Sequence, residues 1–73
     1  MKTIRYRITV HTPVGQFTGK FNEITEKDFE DKIELYTNVL NYPFEGLNLT
    51  AENVNYCIPK SMLYQSVVEL KRY

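Results

Sequence analysis

Four apolar residues, Ile4, Tyr6, Ile8 and Val10, alternate with Thr3, Arg5, Arg7 and Thr9 near the start of the chain, and a period of two marks a strand with one buried face. The next four residues, Thr12-Pro13-Val14-Gly15, suit a tight reversal, because proline pre-sets φ at the second turn position and glycine tolerates positive φ. A β-hairpin is expected. With Thr12 facing Gly15, Val10 meets Phe17, Ile8 meets Gly19 and Tyr6 meets Phe21, so all the apolar residues share one face. A slip of one residue would set Val10 against Thr18 and Ile8 against Lys20, mixing core with solvent.

A helix start follows. Thr25 as N-cap can accept from the amide of Asp28, whose carboxylate can reach back, and Ile24 can staple onto Phe29. Phe29, Ile33, Tyr36 and Leu40, joined by Val39, mark the apolar face, and Leu35 lies off it. Asn41 and Pro43 are expected to stop the helix near Leu40. Residues 43 to 52 read as a connecting loop, although Leu47, Leu49 and Ala51 alternate and allow a short edge strand. Val54, Tyr56 and Ile58 alternate as a strand ended by Pro59, and a last strand runs from about Gln65 to Arg72. Between them Pro59 to Leu63 suits one helical turn, with Met62 or Leu63 plugging the core. The order is ββαββ. It predicts a single α+β domain over residues 1 to 73, a four-stranded, mainly antiparallel sheet with one amphipathic helix packed on one face.

With 73 residues, one Cys and one His, neither a disulfide nor a structural zinc set is available as a staple. A core of this size rarely supplies more than about 3 to 5 kcal/mol of net stability, so efficient packing or a partner chain is needed. No apolar run approaches a membrane span and no signal-peptide core is visible, so the expected location is the cytosol. No cofactor motif is present, because Gly15, Gly19 and Gly46 are too far apart for a phosphate loop. Cys57 and His11 lack a third group, and a lone strand cysteine is ordinarily a small packing residue. The chain is expected not to be an enzyme. Asn48-Leu49-Thr50 fits the glycosylation sequon and carries no weight without a secretory signal.

Net charge is zero, but it is polarised. Residues 1 to 22 carry Lys2, Arg5, Arg7 and Lys20 without an acid, whereas residues 23 to 52 carry eight acids and two lysines. In the expected register Arg7 faces Lys20 and Arg5 faces Asn22, converging on the sheet face away from the helix. Like charges directly opposed destabilise slightly, which a partner's anions would offset. An ordinary solvated face explains the same pattern. For nucleic acid the candidate residues are Arg5, Arg7, Lys20 and Lys60, but Tyr6, Phe17 and Phe21 fall on the core side, where no base can stack.

Six of the nine acids lie between Glu23 and Glu34. Acids in a first helical turn ordinarily complement the helix dipole, and a solvated face is the plain explanation. The functional alternative is an acidic ribbon, with Glu30, Asp31 and Glu34 meeting a basic groove on another protein. Of the six tyrosines, Tyr42, Tyr64 and Tyr73 sit where partial exposure is expected, either sealing core edges or forming an interface.

The opening TPVGQFTGKF hairpin and the closing IPKSMLYQSVVELK segment resemble short accessory proteins of phages and prophages of low-GC Gram-positive bacteria. An excess of residues with AT-rich codons agrees: Phe, Tyr, Met, Ile, Asn and Lys number 29 against 10 for Gly, Ala, Arg and Pro. The resemblance implies an inhibitor of a host enzyme or defence system. Three functions are therefore expected to compete: a non-catalytic module binding a host protein, a nucleic-acid-binding accessory protein, and a homodimer joined through an edge strand.

Overall fold

The protein is described by a computed structural model covering residues 2 to 73. Strand β1 (Thr3–Thr12) turns into β2 (Gly15–Thr18), followed by β3 (Asn22–Thr25) and helix α1 (Glu26–Thr37). A 3-10 turn over Val39–Asn41 leads to β4 (Gly46–Ala51), β5 (Val54–Pro59), the short α2 (Lys60–Leu63) and β6 (Val67–Arg72). The α+β architecture with a four-stranded antiparallel sheet is as the sequence predicts. Its membership differs: β1 is central, with β2 and β3 along one side and β6 along the other, while β4 and β5 form a second, two-stranded sheet.

The first turn is as expected, with Thr12 opposite Gly15 and Val10 opposite Phe17. Farther along, the register slips by one. Tyr6 faces Asn22 and Ile4 faces Ile24, so the expected pairing of Tyr6 with Phe21 does not form. The intervening segment, 19 to 21, acts as a bulge, absorbing one extra residue. Two contacts hold it there: the Gly19 amide donates to Ile8 O at 2.9 Å, and the Lys20 amide donates to Thr50 O of β4 at 2.8 Å. Phe21 leaves the core side as a result.

Thr25 caps α1, its hydroxyl accepting from the Asp28 amide at 3.2 Å. The helix ends at Thr37, earlier than the pattern suggests, because Asn38 takes φ −119° and ψ 89°. Leu40 therefore leaves the helical face and is 78% exposed. The buried face also lies closer to Lys32 and Leu35: Leu35 packs on the core, whereas Ile33 is exposed. Phe29 anchors the helix, meeting Tyr6 of β1 edge-to-face with ring centroids 5.5 Å apart.

Within residues 43 to 52 only the first three and Glu52 lie outside a strand, and the alternation of Leu47, Leu49 and Ala51 does form one. Gly46 to Ala51 pair with β5, placing Leu47 opposite Ile58 and Leu49 opposite Tyr56, and both leucines are buried. Their two-residue turn, Glu52-Asn53, carries no glycine; Glu52 adopts φ 53°, so the usual hairpin turn signal is missing from the sequence. At Gly46 a Cβ would come within 2.5 Å of Ile58 O, which requires glycine. The helical turn after Pro59 forms as predicted and seats Leu63 at 1% exposure. Tyr42 is buried instead of partly exposed as expected: it is 4% exposed, and its hydroxyl donates to Gly46 O at 2.9 Å. One core cluster links β1, α1 and the second hairpin through Tyr6, Ile8, Val10, Phe29, Leu47 and Leu49.

Candidate functional site

Alternation along β1 puts Tyr6, Ile8 and Val10 into the core and sends Arg5, Arg7, Thr9 and His11 to the opposite face. Pairing with β6 adds Lys71 opposite Arg7 and Glu69 opposite Thr9, and the Tyr73 amide donates to Arg5 O at 2.9 Å. The bulge then delivers Phe21. The Arg5 guanidinium carbon lies 4.0 Å from its ring centroid and that of Arg7 4.5 Å. Tyr73 meets Phe21 edge-to-face at 5.0 Å, and Lys71 Nζ lies 5.3 Å from the Tyr73 ring. Two aromatic rings and three cations thus form one continuous cluster. A cation over a ring face is held by the ring quadrupole, and Arg7 is fixed further by donating from Nε to Gly19 O at 2.8 Å.

The cluster is not uniformly basic. Arg5 faces Glu23 rather than Asn22, and His11 Nε2 meets Glu69 Oε1 at 2.7 Å. Arg7 has Lys71, not Lys20, as its cross-strand cationic neighbour. Of the four residues expected to bind nucleic acid, only Arg5 and Arg7 come together here. Lys60 stands on α2 and donates from Nζ to Tyr42 O at 2.6 Å. Lys20 lines a different cleft of about 190 Å³ beside Lys32, Tyr36 and Asn48.

Glu30, Asp31 and Glu34 are all exposed on α1. Asp31 and Glu34 border a shallow cleft with Leu35, Asn38 and Asn41, and Glu30 is not part of its lining. The ion pairs among the described residues are His11 with Glu69 and Arg72 with Glu26, so these three helix acids stand unpaired. Cys57 is exposed on β5, which removes its expected packing role. It borders an apolar cleft of about 270 Å³ with Phe17, Tyr56 and Met62. Among the described residues no group of three or more His, Cys, Asp or Glu is placed to hold a metal ion, and no helix is long and apolar enough to cross a membrane.

The perturbed phenols lie on the core side. Burial, with smaller contributions from the Tyr42 and Tyr6 phenols, pushes Tyr36 up to about 12; burial also raises Tyr6 and Tyr42. Tyr73 is exposed, as expected of it from the sequence, whereas Phe21 and Lys71 are members of the open-face cluster that the sequence does not place there. A signal for Phe21 was present: apolar parity changes between Phe21 and Ile24, and such a change within one strand requires a bulge. Comparison with models of known families, with curated proteins and with solved structures finds no match to the chain.

Proposed function

We propose that the protein is a non-catalytic protein-binding module, a phage-type accessory protein that inhibits a host enzyme or defence system in the bacterial cytoplasm. Its contact surface is the open face of the four-stranded sheet. The observation that carries this reading is the cluster of Arg5, Arg7, Phe21 and Tyr73. Arginine and aromatic side chains dominate binding hot spots, because they bring large contact area in stiff geometries. Interspersed Glu23 and Glu69 favour a mixed-charge protein surface over a polyphosphate.

The test uses immobilised protein and lysate of its bacterial host, with retained proteins identified by mass spectrometry. One host protein should be held stoichiometrically, lost with Phe21→Ala and Arg5→Ala, and kept when Glu30, Asp31 and Glu34 are changed to lysine. Loss only with the lysine variant would move the contact to α1 and restore the acidic-ribbon reading.

Nucleic acid is the second reading, favoured by one feature: a guanidinium stacked on a ring offers an outer plane for a base and N–H donors for phosphate. A labelled mixed-sequence oligonucleotide would then bind at low salt, with a salt slope reduced by Arg5→Ala and Arg7→Ala. No binding at low salt eliminates it.

A further inference from the structure

Among the described residues strand β6 is paired on one side only, by β1, and no strand pairs with its other backbone edge. The opposite flank of the main sheet meets the second hairpin where Lys20 donates to Thr50. The direction of the free polar groups follows from one bond. The Tyr73 amide donates to Arg5 O, so by antiparallel alternation Lys71 and Glu69 also point their N–H and C=O groups at β1. Val68, Leu70 and Arg72 point theirs outward. An open edge of this kind is a template for a further strand.

We propose that the occupant is β6 of a second copy of this chain, paired antiparallel about a two-fold axis with Leu70 opposite Leu70 of the partner subunit. This register is selected by charge. Only outward-pointing residues can exchange ladder bonds, so the allowed alternatives near the strand centre shift the pairing by two residues in total. One of them opposes Glu69 to Glu69 of the partner subunit, and the other opposes Lys71 to Lys71 of the partner subunit. Like charges directly opposed are unfavourable in either case. The Leu70-centred register instead sets Glu69 against Lys71 of the partner subunit, and Lys71 against Glu69 of the partner subunit. These are non-hydrogen-bonded positions, where side chains stand closest. Beyond them Val67, 66% exposed in one copy, meets Tyr73 of the partner subunit, which itself is 56% exposed in one copy.

On the helix side the two half-buried Leu70 side chains cover each other. Glu69 keeps its contact to His11 through Oε1, leaving Oε2 for the partner subunit's Lys71. A domain of this size with net charge zero gains from burial against a second copy and meets no overall repulsion. The dimer would carry two copies of the Arg5, Arg7, Phe21 and Tyr73 cluster on one continuous eight-stranded sheet face. It does not depend on what that face binds.

The test is sedimentation of the full chain across a concentration series, with circular dichroism as a folding control. Wild type should pass from 8.7 kDa toward twice that mass. Glu69→Lys alone and Lys71→Glu alone should each weaken the dimer roughly tenfold, because symmetry reverses two pairs at once. The double change should restore wild-type association. Amide exchange gives a readout independent of mutation: Val68, Leu70 and Arg72 should become protected as concentration rises, while Glu69 and Lys71 are protected throughout. A monomer at every concentration, single reversals without effect, or a double change that fails to recover the dimer would each overturn the proposal. If one reversed variant is unfolded, the other and the exchange pattern still decide.

Discussion

The guanidinium of Arg5 stacks 4.0 Å from the ring centroid of Phe21, two residues that a uniform hairpin would have put on opposite faces of the sheet. One bulged residue in the chain between Thr18 and Asn22 reverses the facing of Phe21 and turns an apparent core residue into part of an exposed surface. That single change converts a plain solvated sheet face into an arginine and aromatic cluster.

Phe21 and Phe29 should behave differently when truncated. Phe29→Ala empties a buried site against Tyr6 and should lower stability by about 3 to 5 kcal/mol. Phe21→Ala removes exposed cation–ring contacts worth about 0.5 to 1 kcal/mol each, so its denaturation midpoint should move far less. Equal losses for the two variants would place Phe21 in the core.

Thr25→Ala should lower stability by about 0.5 to 2 kcal/mol through loss of the cap on the Asp28 amide. Urea denaturation measures it, and Thr25→Ser should retain most of the wild-type midpoint. An unshifted alanine variant would show that the hydroxyl contributes nothing to α1.

Gly46→Ala should destabilise the second hairpin by about 1 to 3 kcal/mol, because the added carbon meets backbone at Ile58 O and cannot be relieved by a rotamer change. Gly19→Ala is the comparison: its Cβ would meet the Leu49 side chain at 3.4 Å and Thr50 O at 3.7 Å, both ordinary contact distances. The midpoint should fall clearly more for Gly46 than for Gly19, and the reverse order would contradict the β4 to β5 packing.

Alkaline pH should destabilise the protein through the half-buried phenol of Tyr36 and the buried ones of Tyr6 and Tyr42. Tyr36 is raised to about 12 from 10.0, so the folded state holds its proton more tightly than the unfolded chain does. Its stabilising contribution is complete below pH 10 and is lost as pH rises from about 10 through 12. The denaturation midpoint should therefore be flat toward pH 9 and then fall. Tyr36→Phe should soften that fall, which phenolate absorbance can follow in parallel. A midpoint unchanged up to pH 12 would show that these phenols ionise freely while folded.

Sequence alone determined the features whose causes lie within a few residues of one another. The Thr12 to Gly15 turn, the Thr25 cap and the helical turn that seats Leu63 all form as read, because proline's fixed φ, a hydroxyl three residues from an amide and a strand-ending proline act locally. Of the site, the outward facing of Arg5 and Arg7 was legible by the same period of two. Tertiary structure decided the rest. The bulge answers to Thr50, thirty residues beyond Lys20; the Glu52-Asn53 reversal is held by β4 and β5 burying Leu47 and Leu49. Lys71 and Tyr73 join Arg7 and Phe21 because β6 closes on β1 from the far end of the chain. Alternation states which residues share a face within one strand, but the free energy that selects partners and register comes from packing between strands distant in sequence.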